Sequence, residues 1–168
     1  MEEAAKRGPL EVRYKRSFLS RYIQASEELQ GYYTIIKNEL LSYERVGART
    51  SWRCETFRRK KETLARINVM GKSLYLYLAL PLEGHEGLQG VSDAGEKSAE
   101  TPLLIKVKSE RSCKRALALI AEMMQSLGVA QKAREAVDYH MPYEETEALV
   151  ERGLVKRILT AGAVVPKA

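Results

Sequence analysis

Residues 64–80 read LARINVMGKSLYLYLAL, and this stretch decides the architecture. Gly71-Lys72 is a two-residue connection with glycine first, the chemistry of a type II′ hairpin turn. Counting outward from it pairs Val69 with Leu74, Ile67 with Leu76 and Ala65 with Leu78, all apolar and all on one face. The opposite face pairs Asn68 with Tyr75 and Arg66 with Tyr77. A slip of one residue would reverse every side chain, so the hydrophobic pattern fixes the register.

Working outward, Val46, Ala48, Thr50 and Trp52 alternate with Arg45, Gly47, Arg49 and Ser51. That alternation predicts a strand with the first set toward the core. Arg58, Arg59, Lys60 and Lys61 follow one another and read as a turn or the mouth of a strand, since adjacent like charges want water or a polyanion. Downstream, Pro102 opens another strand: Leu103, Ile105 and Val107 point one way, Leu104, Lys106 and Lys108 the other.

The helices are read from their spacing. Residues 17–42 form one long helix with Ser17 as N-cap and Tyr22, Leu29, Tyr33, Ile36 and Leu40 on one stripe. Gly31 is its weak point, costing about 1 kcal/mol against alanine and marking a kink. Ser109 caps a second helix whose stripe is Cys113, Ala116, Leu117, Ile120, Met123, Met124 and Leu127, ended by Gly128. Between strand and strand lies the Gly-rich loop 81–101, where Glu83, Glu86, Asp93, Glu96 and Glu100 face the single Lys97. A loop so long is functional or disordered; folding over the basic face as a competitor for anions is one expectation. After Gly128, residues 130–137 read as a short helix. Pro142 opens another, with Glu144 and Glu145 in its first turn and Gly153 at its end. Residues 154–159 read as an extra strand or a docking arm.

These elements predict an α+β fold: a long N-terminal helix, a mostly antiparallel four-stranded sheet, a second helix packed on the same face and a C-terminal helical appendage. The two main helices shield Trp52, Ile67, Leu76 and Ile105. The divisions are a polar tail at 1–14, a core domain at 15–128 that includes the acidic loop, the appendage at 129–160 and a tail at 161–168. At 168 residues and 45% apolar, the chain buries a core without disulfides or metals. Cys54 and Cys113 are read as free thiols of a reducing compartment. The opening MEEAAKRGPLEVRYKR has no apolar core of signal-peptide type, and the longest apolar run is far short of a membrane helix. The expected location is the cytoplasm.

Charge is concentrated. Residues 43–80 hold nine Lys and Arg against three Glu, an excess equal to the formal net charge of +6 for the whole chain. The non-core sheet face gathers Arg45, Arg49, Arg66, Tyr75, Tyr77, Lys106 and Lys108, with Arg58, Arg59, Lys60 and Lys61 at its rim. Cations interleaved with flat rings suit nucleic acid: the charges hold phosphates and the rings offer stacking platforms. Against this, Arg opposite Tyr also decorates ordinary solvated sheets. No P-loop, dinucleotide fingerprint or zinc-protease motif occurs. His85 reads as exposed and His140 as packing beside Tyr139 and Tyr143. Glu55 reads as half of a structural salt bridge with an arginine.

The runs SYERVGARTSWRCETF, LARINVMGKSLYLYLAL and TPLLIKVKSERSCKRALALI, with the closing PYEETEALVERGLVK, resemble a domain of bacterial proteins, largely from Firmicutes. Its pattern is S-Y-x-x-V-x-x-R-x-S-W-x-x-E-x-F followed by G-K-x-L-x-L-Y-L-A-L and I-K-S-x-R. Arg49, Ser51, Trp52, Glu55, Phe57, Gly71, Lys72, Tyr77 and Lys106 fall on motif positions. The resemblance implies no activity. Where relatives have a Gly-Arg turn after the phenylalanine, this chain has Arg58 to Lys61 and is more basic. At fold level the order of elements is similar to double-wing DNA-binding proteins and to the frataxin-like layer. Iron binding would want an acidic first helix, but Glu27, Glu28 and Glu39 are balanced by Lys15, Arg16, Arg21 and Lys37. The expected function is a non-catalytic module that binds nucleic acid, with a protein-protein interaction domain as the alternative. No enzymatic activity, cofactor, metal or membrane partner is expected.

Overall fold

The computed structural model describes residues 11–85, 88–90 and 100–160. The tails expected at residues 1–10 and 161–168, and most of the acidic loop, lie outside them. In chain order the elements are β1 (Glu11–Arg16), α1 (Phe18–Ile23), α2 (Glu27–Leu41), β2 (Val46–Thr50), β3 (Glu55–Arg59), β4 (Glu62–Met70) and β5 (Ser73–Leu78). There follow β6 (Gln89–Gly90), β7 (Leu103–Val107), α3 (Glu110–Ser126), α4 (Thr146–Glu151) and β8 (Val155–Thr160). Among the described residues no helix is long and apolar enough to cross a membrane.

The main sheet is antiparallel throughout, in the order β2-β3-β4-β5-β7-β6. Its centre is the β4–β5 hairpin in the register that the apolar pattern predicts, from Ala65↔Leu78 to Met70↔Ser73. Gly71 has φ 60° while Lys72 keeps an ordinary φ, as a type II′ turn requires. One face of this sheet buries Phe57, Ala65, Ile67, Val69, Leu74, Leu76, Leu78, Leu103, Ile105 and Val107. The stripes of α2 and α3 pack against it in a single core. At β3–β4 the register shifts after Phe57, opposite the extra residue Leu64. This bulge lets Leu64 and Ala65 both be buried next to each other.

Three parts of the sequence reading are corrected. First, residues 17–42 are two helices. Ser26 accepts a bond from Leu29 N–H, and Glu27 and Glu28 occupy the first turn behind it. A second N-cap with acids at the positive helix end starts a new helix. Gln30 Nε2 donates to Tyr22 O at 2.8 Å across the break. Gly31 lies inside α2 without breaking it. Second, the main sheet has five long strands and the two-residue β6. Glu55–Arg59 is a strand that a buried acid and two arginines disguised. Third, β2 is a sheet edge. Ala48 and Thr50 are exposed, and Trp52, past the strand end, is 37% exposed rather than shielded. In the stripe of α3, Leu119 is buried and Leu127 exposed.

The ends of the chain also differ from expectation. Glu11–Arg16, which spans the end of the expected polar tail and the start of the core domain, pairs antiparallel with β8 as a two-stranded ribbon. Ile23, Leu149 and Val155 form a small second core beneath it. Residues 130–137 are not helical; only α4 remains of the helical appendage. With the residues up to Met141 they run instead as a strap along α1 and α2. Lys132 N–H donates to Ser42 O at 2.8 Å, Asn38 Nδ2 to Val137 O at 2.8 Å, and Tyr22 OH to Tyr139 O at 2.7 Å. Side chains of a helix can satisfy an extended backbone as well as another helix does.

The core contains one polar knot. Glu55, 1% exposed, accepts from Tyr33 OH and pairs with Lys37 Nζ at 2.7 Å. The salt bridge expected for Glu55 therefore exists, with a lysine of α2 rather than an arginine. Lys37 also lies 4.5 Å from the centre of the Tyr139 ring. Burial beside the carboxylate pushes the Tyr33 phenol well above its ordinary range, so it stays a donor.

Two stability outcomes follow from these contacts. A Cβ at Gly31 would meet only His140 Nε2 at 3.8 Å, an ordinary contact. Gly31→Ala is expected to add about 0.5–1 kcal/mol through the helix backbone, read as a Tm higher by roughly 2–3 °C. Glu55→Ala strands Lys37, whose side chain is 15% exposed. It is expected to cost about 3 kcal/mol, at the low end for a broken buried pair, and a urea unfolding midpoint measures it.

Candidate nucleic-acid interface

The strand registers stack the outer face of the sheet in rows. One row runs Arg49, Thr56, Arg66, Tyr77 and Leu104 across β2, β3, β4, β5 and β7. The next runs Asn68, Tyr75 and Lys106. Tyr75 and Tyr77 meet edge to face with centroids 6.4 Å apart, and Lys106 Nζ lies 5.1 Å from the centre of the Tyr75 ring. Alternation along each strand puts these groups here because their neighbours fill the core.

This face is not flat. A cleft of about 790 Å³ is bounded by the sheet, by Arg21 of α1, by the connection from Ser51 to Cys54, and by Lys15 and Arg16 of the ribbon. Thr56, Arg66, Asn68 and Tyr77 lie along the sheet side, and Arg49 and Arg58 line it further toward the β2–β3 edge. The chain turns into this position at Phe18, whose N–H donates to Trp52 O at 2.8 Å, while Ser17 N–H donates to Leu154 O at 3.1 Å. Those two bonds tie the ribbon, α1 and the end of β2 together. The strap of residues 130–141 is held on α2 and leaves this face alone.

Among the described residues, seven cations and one carboxylate line the cleft. The carboxylate is Glu100, at the end of the acidic loop, with Oε1 3.6 Å from Arg66 NH2. Arg21 donates to Asn68 Oδ1 at 2.7 Å and to Arg53 O at 3.2 Å, while its buried Nε has no hydrogen-bond partner. Burial lowers its pKa from the usual value, yet a guanidinium remains charged at any physiological pH. Arg16 donates to Gln24 Oε1 at 2.8 Å. In the ribbon Lys15 stands directly opposite Lys156, whose Nζ lies 4.9 Å from the centre of the Trp52 ring. Like charges opposite one another on a strand pair are destabilising. Among the described residues the cleft thus gathers more positive than negative charge over a partly aromatic wall.

Of the residues singled out from the sequence, the cleft brings together Arg49, Arg58, Arg66 and Tyr77. Tyr75 and Lys106 share the outer face beside it. Arg45 and Lys60 sit in left-handed turn positions, φ 64° and 57°, at the opposite end of β2 and β3, with Lys61 next to them. Arg59 lies on the other side of β3 from Arg58, and its Nε is buried without a hydrogen-bond partner. Lys108 is exposed just beyond β7, at the start of α3. Sequence reading did not place Lys15, Arg16, Arg21, Arg53 or Trp52 at this site. A tryptophan flanked by Ser51 and Arg53 was the one local signal; the ribbon left none, because its strands are joined only across the length of the chain.

Neither histidine lines the cleft. His85 is tucked against α3 rather than exposed, Nε2 2.7 Å from Glu122 Oε2, and that bond raises its pKa. His140 is exposed and bonded to Asp138, not packed between tyrosines. Among the described residues no group of His, Cys, Asp and Glu is arranged to hold a metal ion. No protein-family model, curated protein or solved structure matches the chain.

The two thiols differ in access. Cys54 lines the cleft half-buried, whereas Cys113 is 3% exposed and burial raises its pKa. A thiol-specific reagent added to the native protein is expected to modify one site quickly. Cys54→Ser should abolish that fast reaction, and Cys113→Ser should leave it.

Proposed function

We propose that this protein is a non-catalytic module that binds nucleic acid through the outer sheet face and its cleft. The observation that carries the reading is the excess of seven cations over one carboxylate, among the described residues, around a concave surface with Tyr77 and Trp52 in its walls. Guanidinium groups hold phosphate through paired N–H donors, and each phosphate neutralised releases counterions, which supplies affinity at low salt. Arg49, Trp52, Tyr77 and Lys106 fall on motif positions that resemble the bacterial domain described above, while the basic turn Arg58 to Lys61 is where this chain departs from it. A protein partner is the second reading. Val12, 47% exposed, stands directly opposite Leu159, 63% exposed, on the ribbon, an apolar pair that ordinary solvation does not explain.

The test is fluorescence anisotropy with labelled mixed-sequence oligonucleotides at low ionic strength. Binding is expected, with affinity falling as salt rises, by roughly fifty-fold between 50 and 200 mM for about four phosphate contacts. Charge reversal at the exposed Arg49, as Arg49→Glu, should weaken binding about tenfold or more, while the far-UV spectrum and Tm stay unchanged. Absence of binding at low salt to any oligonucleotide overturns the reading. A protein that co-purifies through nuclease treatment, and is released by Leu159→Lys, would establish the second reading instead.

A further inference from the structure

The shape of the cleft, its rings and its ribbon bear on which form of nucleic acid fits. A duplex is a stiff cylinder whose phosphates lie on its convex outside and whose base faces are stacked away. Its major groove, about 12 Å wide, admits a helix or ribbon that projects from a protein. The cleft is the reverse: a hollow of about 790 Å³, within the range of roughly 300–1,000 Å³ typical of pockets that enclose a small ligand. Its cations come from four directions, the sheet, α1, the ribbon and the connection that carries Arg53, and so surround whatever enters.

The rings point the same way. Trp52 is packed into neither core, and Lys156 is the group over its ring. Tyr77 stands in the cleft's sheet wall, half-buried, with its phenol raised by burial. An exposed ring face is of use only to a base whose own face is free, and bases are free in single strands. Lys15 and Lys156 complete the arrangement. Two lysines at directly opposite positions of the strand pair, one with its ammonium over the indole, give a strand passing across Trp52 a phosphate site next to a stacking platform.

We propose that the cleft holds a single strand, with unpaired bases against Trp52 and Tyr77 and phosphates between the sheet arginines and Lys15 with Lys156. The proposal rests on the nucleic-acid reading above and narrows it. The exposed Arg111 and Lys114 of α3 lie outside the lining of the cleft.

Trp52 is the chain's single tryptophan, so its emission reports stacking at one known place. The experiment titrates the full chain at low salt with a twelve-residue oligothymidylate and with a twelve-base-pair duplex, following anisotropy and tryptophan emission together. Expected are saturable quenching by the single strand and at least tenfold tighter binding of it than of the duplex. Trp52→Ala should lose roughly five- to hundredfold in single-strand affinity; Trp52→Phe should retain most of it. Arg111→Glu combined with Lys114→Glu should leave single-strand binding unchanged. Equal or tighter binding of the duplex, or single-strand binding without quenching, overturns this proposal while leaving the broader reading in place. Failure of both oligonucleotides to bind overturns both.

Discussion

The register of the β4–β5 hairpin is the constraint on which the rest of the molecule depends. Gly71 adopts φ 60°, which costs a residue without Cβ almost nothing, and so a two-residue turn closes at this point and no other. From there six apolar side chains, Ala65, Ile67, Val69, Leu74, Leu76 and Leu78, face α2 and α3 and are essentially fully buried. The five larger of them gain about 1.5–3 kcal/mol each, together on the order of the net stability of a small domain. A one-residue slip would surrender that and carry Arg66 and Asn68 into the core. The same parity therefore builds the core and turns Arg66, Tyr75 and Tyr77 outward.

Parity alone leaves the β2–β3 side of the sheet undetermined, because Glu55 occupies a core-facing position. The Glu55–Lys37–Tyr33 knot resolves it. Burying a carboxylate costs several kcal/mol unless it is paired and hydrogen-bonded, and here both oxygens find donors: Tyr33 for one, Lys37 and, at 3.4 Å, Thr50 for the other. The geometric demand of that knot seats β3 against α2 and thereby aligns Arg49, Thr56 and Arg66 in one row. It links the interior of the protein to the position of its charged face.

At the cleft the balance differs. Repulsion among the lining cations is tolerated because the packing behind them is strong: Phe18 and Tyr22 of α1 pack their rings against each other and against Tyr33 of α2, and Ile23, Leu149 and Val155 hold the ribbon. The charged side chains stand on elements stabilised by other residues. Stability and the proposed binding are thus carried by different faces of the same strands, and substitutions at the exposed arginines should separate them.

What the sequence by itself determined was local and periodic. The hairpin register, the N-caps at Ser17 and Ser109, the Gly128 and Gly153 helix ends and the division of the sheet into apolar and basic-aromatic faces all follow from period, turn chemistry and capping. The break at Ser26 was written there too, in Ser26-Glu27-Glu28, but a continuous apolar stripe concealed it. Tertiary structure alone decided what depends on partners remote in the chain. Glu11 pairs with Thr160 from the far end of the described chain, Glu55 is buried because Lys37 is near, Trp52 is left outside because β2 is an edge, and the strap lies on α1 and α2 because Tyr22, Gln30, Thr34 and Asn38 bond its backbone. Periodicity shows which side of an element is apolar; it carries no information about which distant element closes a wall. The basic face was therefore legible, and the cleft that gives it a shape was not.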